Sequence, residues 1–361
     1  MRTVTQLMIL MALPLCAEEM VYGKNNLHAF LPTEKQGDIT LSFEKVNDTL
    51  DIFNIKESEF GDSSVKSENL GDMDGIGFNF GYGFSDKLYL NTNFNQKRLE
   101  YSGSTLVNDK FDLYLRYQVY RENNMALAVD GGYTINSAKD TYIYDLNSIN
   151  RGLKGLSSGN SIQLKEVGDH YKIVYRDKSG LIKSLSLSER PSIGIVNTKD
   201  ESFYTRLIGS YREKEWLFDS YLGYREIKIK NETDSSLLNE KSSDLQKELS
   251  KIDFSQSRTD GMFFGGLGVN YKINEELSTS LNYQYNKMLR VDCLDETDMN
   301  HIFNLNTTYK INSDFSLYLD AQLMLNQFNG EIPYLYSNYT QTTFDHKYGF
   351  LELGINYIFN R

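Results

Sequence analysis

The chain lacks any long apolar run. Its mean hydropathy is −0.48, and after residue 17 nothing approaches the ~20 apolar residues a spanning helix needs. Cysteine is nearly absent, with only Cys16 and Cys293 in 361 residues. Cys16 falls in a leader, so the exported chain keeps one thiol and no intramolecular disulfide. Without a CxxC or a Cys/His cluster, a structural zinc site has no ligand set, and no cofactor is expected. Positive charge is in deficit: 38 Lys and Arg stand against 49 Asp and Glu, a net charge of −11. A chain of that sign repels phosphate backbones, so nucleic acid is not an expected partner. Proline is scarce at 4, whereas Tyr at 26, Phe at 20 and Gly at 26 are abundant. Aromatic-rich, glycine-rich and polar on average is the composition of a transmembrane barrel, whose polar inward half cancels its apolar outward half.

The first residues, MRTVTQLMILMALPLCA, read as an export signal. Arg2 gives a basic start, Leu7 to Leu15 an apolar stretch too short to span, and Ala17 a cleavage point. Cys16 raises a lipoprotein alternative, opposed by the bulk of Leu15 before it. The expected organisation is a cleaved signal peptide over 1–17, an N-terminal periplasmic segment or small plug over 18–37, and a barrel over 38–361.

Beyond the leader, apolar residues recur with period two. In Phe111–Tyr120 the odd positions are Phe111, Leu113, Leu115, Tyr117 and Val119, and the even ones are Asp112, Tyr114, Arg116, Gln118 and Tyr120. Phe315–Leu325 repeats the pattern, with Phe315, Leu317 and Leu319 set against Ser316, Tyr318 and Asp320. A strand places such residues on opposite faces, whereas a helix scatters them. Segments of this kind lie near 38–53, 74–84, 87–101, 109–120, 124–136, 202–212, 215–230, 260–273, 276–288, 300–311, 314–327 and 346–359. Most exceed the ~5–6 residues of a globular strand and suit a tilted membrane strand.

Connections alternate in length. Phe84–Asp86, Arg121–Asn123, Glu213–Lys214, Asn274–Glu275 and Asn312–Ser313 are tight turns. Between them run longer links at 54–73, 102–108, 137–201, 231–259, 289–299 and 328–345. Short periplasmic turns and long extracellular loops define an all-β, antiparallel up-and-down barrel of about 12 strands. Within 137–201, Leu146, Ile149, Leu153 and Leu156 suggest a short helix, and Tyr171–Arg176 with Leu181–Ser188 a hairpin. If that hairpin spans, the count becomes about 14. A second helical stripe, Leu238, Leu245, Leu249 and Ile252, lies in 231–259.

The C-terminal segment Glu352–Phe359 resembles the last-strand insertion signal of bacterial outer-membrane β-barrel proteins. Glu352, Gly354, Tyr357 and Phe359 occupy the signal positions, although Asn360 and Arg361 follow the terminal aromatic. The resemblance covers architecture only. It implies the outer membrane of a Gram-negative bacterium, contact with its lipid and lipopolysaccharide, and assembly by the barrel-insertion machinery.

By alternation, Asp112, Arg116, Asp130, Arg206, Asp219, Arg225, Asp320 and Glu352 face the lumen as constriction candidates. Arg116 and Asp130 fall nearly opposite on neighbouring strands, and Arg206 and Asp219 diagonally across a turn. Such charges either fill a narrow barrel or tune which solutes pass. Tyr89, Tyr114, Tyr221 and Tyr318 also point inward. Outward aromatics at the short-turn ends, Tyr82, Phe84, Trp216, Tyr271, Tyr309, Tyr357 and Phe359, form an interface girdle. Asp292, Asp295, Glu296 and Asp298 make an acidic loop, a weak metal candidate without EF-hand spacing. The histidines are His28, His170, His301 and His346. Two positions after each stand Phe30, Lys172, Phe303 and Tyr348, not the serine of the outer-membrane phospholipase pattern, so no enzyme is expected.

The expectation is a channel for passive diffusion of small hydrophilic solutes, with 137–201 folded inward to narrow it. The alternatives are a closed structural or surface-binding barrel, and an apolar-ligand transporter with Glu18–Gln36 as a small plug.

Overall fold

A computed structural model describes residues 27–46, 73–101, 104–144, 146, 149–150, 162–176, 179–187, 189–235, 255–291, 294, 297–326, 328–337 and 347–360. The leader, Cys293, Asp292, Asp295, Glu296, His346 and the stripe at 238–252 lie outside them.

The strands are β1 (Gln36–Val46), β2 (Met73–Ser85), β3 (Leu88–Tyr101), β4 (Ser104–Glu122), β5 (Met125–Ala138), β6 (Thr141–Ile143), β7 (Gln163–Val167), β8 (His170–Arg176), β9 (Ile182–Leu187), β10 (Ile193–Glu213), β11 (Trp216–Ser235), β12 (Gln256–Lys272), β13 (Leu277–Leu289), β14 (Met299–Lys310), β15 (Phe315–Met324) and β16 (Tyr348–Asn360). Twelve of them close a barrel in the order β1 to β5, then β10 to β16, with β16 pairing back to β1. Every neighbour is antiparallel, and closure leaves no unpaired edge. The start of β1 and the end of β16 meet at Gln36↔Asn360, so both lie at the short-turn end.

Three expectations about connections change. The long link at 102–108 is absent, because β3 and β4 continue to the pair Tyr101↔Ser104. The hairpin in 137–201 does not span. Its strands β8 and β9 join β7 in a separate three-stranded sheet, which fixes the barrel at twelve. That sheet packs on its own apolar cluster, including Ile149, Ile162, Ile173 and Ile193, and none of the described residues of this loop lines the lumen chamber. Finally, Tyr120 leaves the inward face. A register shift between Gln118 and Tyr120 inserts an extra residue, which turns Tyr120 outward.

The surface inverts that of a soluble protein. Leu41, Leu115, Leu222, Leu267, Leu305 and Leu353 are exposed, whereas Asn79, Asn91, Arg116, Asp130 and Asn356 are buried. On β11 the outward row from Trp216 to Tyr224 is apolar but for Ser220, then charged from Glu226 onward. That length matches the ~9–11 residues of a tilted strand crossing hydrocarbon. At the short-turn end, the Trp216 and Tyr271 rings meet at 4.4 Å, Phe315 and Tyr357 at 4.8 Å, and Tyr82 and Phe84 edge-to-face at 5.1 Å. A second ring that sequence reading passed over circles the long-loop end. It includes Tyr133–Phe203 at 4.8 Å, Tyr224–Phe263 at 5.1 Å and Tyr283–Phe303 at 5.2 Å. An apolar band between two aromatic rings on an even-stranded closed barrel is the architecture of an outer-membrane β-barrel.

Candidate functional site

The eight lumen candidates all face inward, because each lies on the polar parity of its strand. They divide into bonded groups. Asp130 joins two cations: Arg116 Nε and Nη2 donate to its two oxygens at 2.7 and 3.0 Å, and Arg206 Nε donates to Oδ2 at 3.0 Å. The registers Arg116↔Asp130 and Arg206↔Asp130 place both directly opposite. The diagonal pair of Arg206 with Asp219 does not form. Asp219 lies opposite Ser210, which donates to it, and Arg206 turns to the other neighbouring strand. Asp112 accepts from Thr134 and from Tyr204 at 3.4 Å, Asp320 from Asn304 at 2.6 Å, and Glu352 from Tyr318 at 2.6 Å. Arg225 lies over the rings of Tyr204 at 5.1 Å and Phe264 at 5.8 Å.

Among the described residues, two segments outside the strands enter the lumen. At the short-turn end, residues 27–35 form a plug. Arg116 Nη1 donates to the His28 carbonyl and Gln118 Nε2 to the Ala29 carbonyl, both at 2.7 Å. The Ala29 amide donates to Ser210 Oγ at 2.7 Å, and His28 Nδ1 meets Asp219 Oδ2 at 2.8 Å. Phe30 is buried, with Arg212 and Arg121 over its ring at 4.8 and 5.6 Å. Arg116 and Asp219 therefore hold a plug rather than line an open passage.

At the other end, residues 328–337 form a lid. Tyr334 donates from its hydroxyl to Asn108 at 2.8 Å and from its amide to Asp200 at 3.3 Å. Arg258 Nη2 donates to the Tyr336 carbonyl at 2.7 Å. Arg290 lies 3.5 Å from the Tyr336 ring centroid and donates to Thr297 O and Asn329. Burial pushes the Arg290 guanidinium down to about 10. Phe328, Ile332 and Tyr336 seat among inward Met262, Met288, Met324 and Phe350. Gly330 has φ +84°, and a side chain there would press on Met262 Sδ. Two signals for these segments stood in the sequence. Leu27 to Pro32 is an apolar island in a polar tail, and Ile332 to Tyr336 is another in a polar loop. Methionines at inward positions mark the seat of the lid.

Between plug and lid remains a chamber of about 280 Å³, lined by residues including Leu27, Asn93, Asn282, Gln284, Arg206 and Glu331. Its cations lie on consecutive strands: Lys97 on β3, Lys110 on β4, Arg206 on β10 and Arg225 on β11, with β5 between. Its acids Asp320 and Glu352 lie on β15 and β16 across the lumen, whereas Glu44 on β1, Asp112 on β4 and Glu331 of the lid lie on the side of the cations. Glu44 reaches Lys97 at 3.1 Å. Lys97 and Lys110 were not singled out in the sequence, although Lys110 lies on the inward parity of β4.

Of the acidic-loop candidates only Asp298, and of the remaining histidines only His170 and His301, are among the described residues. Asp298 pairs with Lys287, and no cluster of metal-ligating residues occurs among the described residues. His301 meets the Tyr283 hydroxyl at 2.9 Å, and His170 is exposed in the loop sheet. In the C-terminal segment Glu352–Phe359, Gly354 faces the Tyr318 ring, which occupies the space a side chain would need. Tyr357 and Phe359 join the short-turn aromatic ring.

No protein-family model and no curated protein sequence matches the chain. Among solved structures it is similar to the translocator domain of the autotransporter NalP from Neisseria meningitidis, at 8% identity and TM-score 0.49, over 90% of this chain and 89% of that one. It is similar to the TodX monoaromatic hydrocarbon channel at 9% identity and TM-score 0.43, over 92% of each chain. It is also similar to the outer membrane protease OmpT from Escherichia coli, at 12% identity and TM-score 0.35, over 95% of this chain and all (100%) of that one.

Proposed function

We propose that this protein is a non-enzymatic outer-membrane channel for small hydrophilic solutes, held shut at rest by its plug and lid. The observation that carries the reading is the polar chamber. A barrel of about eight strands is filled by its own side chains, whereas a wider one leaves room. Here two chain segments occupy the ends of that room, and the middle is lined by amides and charges that suit water and polar solutes. That polarity speaks against the apolar-ligand transporter. Passage requires displacement of the plug, the lid or both. The long loops face the cell exterior beside lipopolysaccharide, and the tight turns face the periplasm.

Planar-bilayer conductance tests the reading. Wild type should show rare, brief openings. Replacing 328–337 with a glycine–serine linker and deleting 27–34 should give steady conductance. Silence in the doubly opened barrel would defeat the channel and favour a closed structural barrel. That second reading draws on the density of hydrogen bonds that pin the lid to Asp200, Arg258 and Asn300.

A further inference from the structure

We infer that the lumen chamber binds a small hydroxylated carboxylate between Lys110 and Arg225, and that Glu331 of the lid is a tethered stand-in that this solute displaces.

The site begins with an unmatched cation. Arg225 projects into the chamber, and no carboxylate lies within ion-pair distance of it among the described residues. Its Nε is buried without a hydrogen-bond partner. The part of the guanidinium that lines the chamber is what a ligand oxygen can meet, and a hydrogen bond to a charged donor there is among the stronger ones. The rings of Tyr204 and Phe264 hold the guanidinium plane in place, so its fork is set before any ligand arrives. Lys110 is the second cation, and its ion-pair partner is Glu331 Oε2 at 3.5 Å. That separation is long for a charge-assisted hydrogen bond and leaves room for a better-placed carboxylate.

Glu331 already shows what the pocket prefers. Lys110 first, with Lys97 and Arg225 beyond it, holds this carboxyl below the ordinary glutamate range against the opposing effect of burial. A lid carboxylate reaching into a cationic wall is the geometry of an intramolecular ligand. The other acids of the chamber are occupied: Asp112 by Thr134, Asp320 by Asn304, Glu352 by Tyr318 and Glu44 by Lys97. Asp320 and Glu352 lie on the far wall and repel an anion toward Lys110 and Arg225, whereas Asp112 stands on β4 near Lys110 with its oxygens held by Thr134 and Tyr204. Asn93, Asn282 and Gln284 line the space beside it, and their amides can both donate to and accept from hydroxyls. At a share of ~30 Å³ per water, the chamber holds roughly nine waters, so the solute has about ten non-hydrogen atoms or fewer.

The displacement step rests on the channel reading, but the binding step does not. The full barrel, folded in detergent, is titrated calorimetrically with sodium D-glycerate, with glycerol and sodium chloride as comparisons. Wild type should bind glycerate weakly, because a tethered carboxylate competes at millimolar effective concentration or above. E331Q should bind about tenfold tighter. R225Q should lose saturable binding while keeping its heat-modifiable gel mobility. Glycerol binding as well as glycerate, chloride abolishing glycerate binding at equal concentration, an unchanged E331Q affinity, or no binding in any variant would each overturn the site. With Cys293 replaced by Ser, S337C reports on the lid. Glycerate should raise its thiol labelling, and unchanged labelling would overturn the displacement. A barrel that binds but never conducts defeats the channel reading alone, and one that conducts without binding defeats the site alone.

Discussion

At the residue scale, the lumen shows how buried charge is tolerated. Asp130 and Arg116 are fully buried, and Arg206 nearly so. Each charge is costly to desolvate, and only mutual pairing with good geometry offsets that cost. Asp130→Asn leaves two guanidiniums facing an amide. The expected loss is about 3–5 kcal/mol, read as a lower temperature of heat-modified gel migration. Arg206→Gln should cost less, because Arg116 keeps its bidentate hold on Asp130. Equal losses would mean that the triad does not act as described. Gly354→Val is a steric counterpart. Its side chain would enter the space of the Tyr318 ring, displacing a hydroxyl that donates to Glu352. Overpacking of this kind costs typically 1–3 kcal/mol, measurable by the same assay.

At the element scale, the plug and lid are held by different chemistry. The plug is secured by side chains bonding its backbone carbonyls and by two arginines around Phe30. Those bonds change little in acid, because guanidinium and amide donors do not titrate there, although the plug also has the His28–Asp219 contact between two titratable groups. The lid depends partly on the Glu331 carboxylate, whose pKa lies below its ordinary 4.5. A group with a depressed native pKa contributes docking energy above its free value and loses it as pH falls through the native one. Labelling of S337C, in a barrel lacking Cys293, should therefore rise as pH drops below about 4.5. Glu331→Gln should flatten that rise. A pH response identical in the variant would assign acid opening to other groups.

At the scale of the whole molecule, one exterior serves lipid and one interior serves water, and the two aromatic rings mark the boundaries. This fixes an orientation test in whole cells. With Cys293 replaced, S313C in a short turn should resist an impermeant thiol reagent, and S179C in the loop sheet should react. The reverse pattern would invert the barrel. The mature barrel should also fractionate with outer membranes and migrate faster unheated than heated; recovery from the cytosol would contradict the location.

The period-two pattern by itself determined which residues face lipid and which face the lumen, except at Tyr120, which lies past a bulge. A one-residue slip would turn every apolar residue of a strand into the lumen, so the alternation selects the parity even where the exact register is not legible. The tight turns determined which strands are neighbours, and Arg116 opposite Asp130 followed from the Arg121–Asn123 turn despite the bulge. Registers across long links were not legible, and so Arg206 was matched to Asp219 rather than to Asp130. Its true partner comes through a connection that holds a sheet of its own. The lid lay further out of reach. Nothing local tells Ile332 to Tyr336 whether to cover the rim or enter the barrel. Only the closed tertiary structure brings Asp200, Arg258 and Arg290 from separate strands to one seat, where buried polar groups must find partners. The sequence thus determined the wall, and the tertiary structure decided what stands inside it.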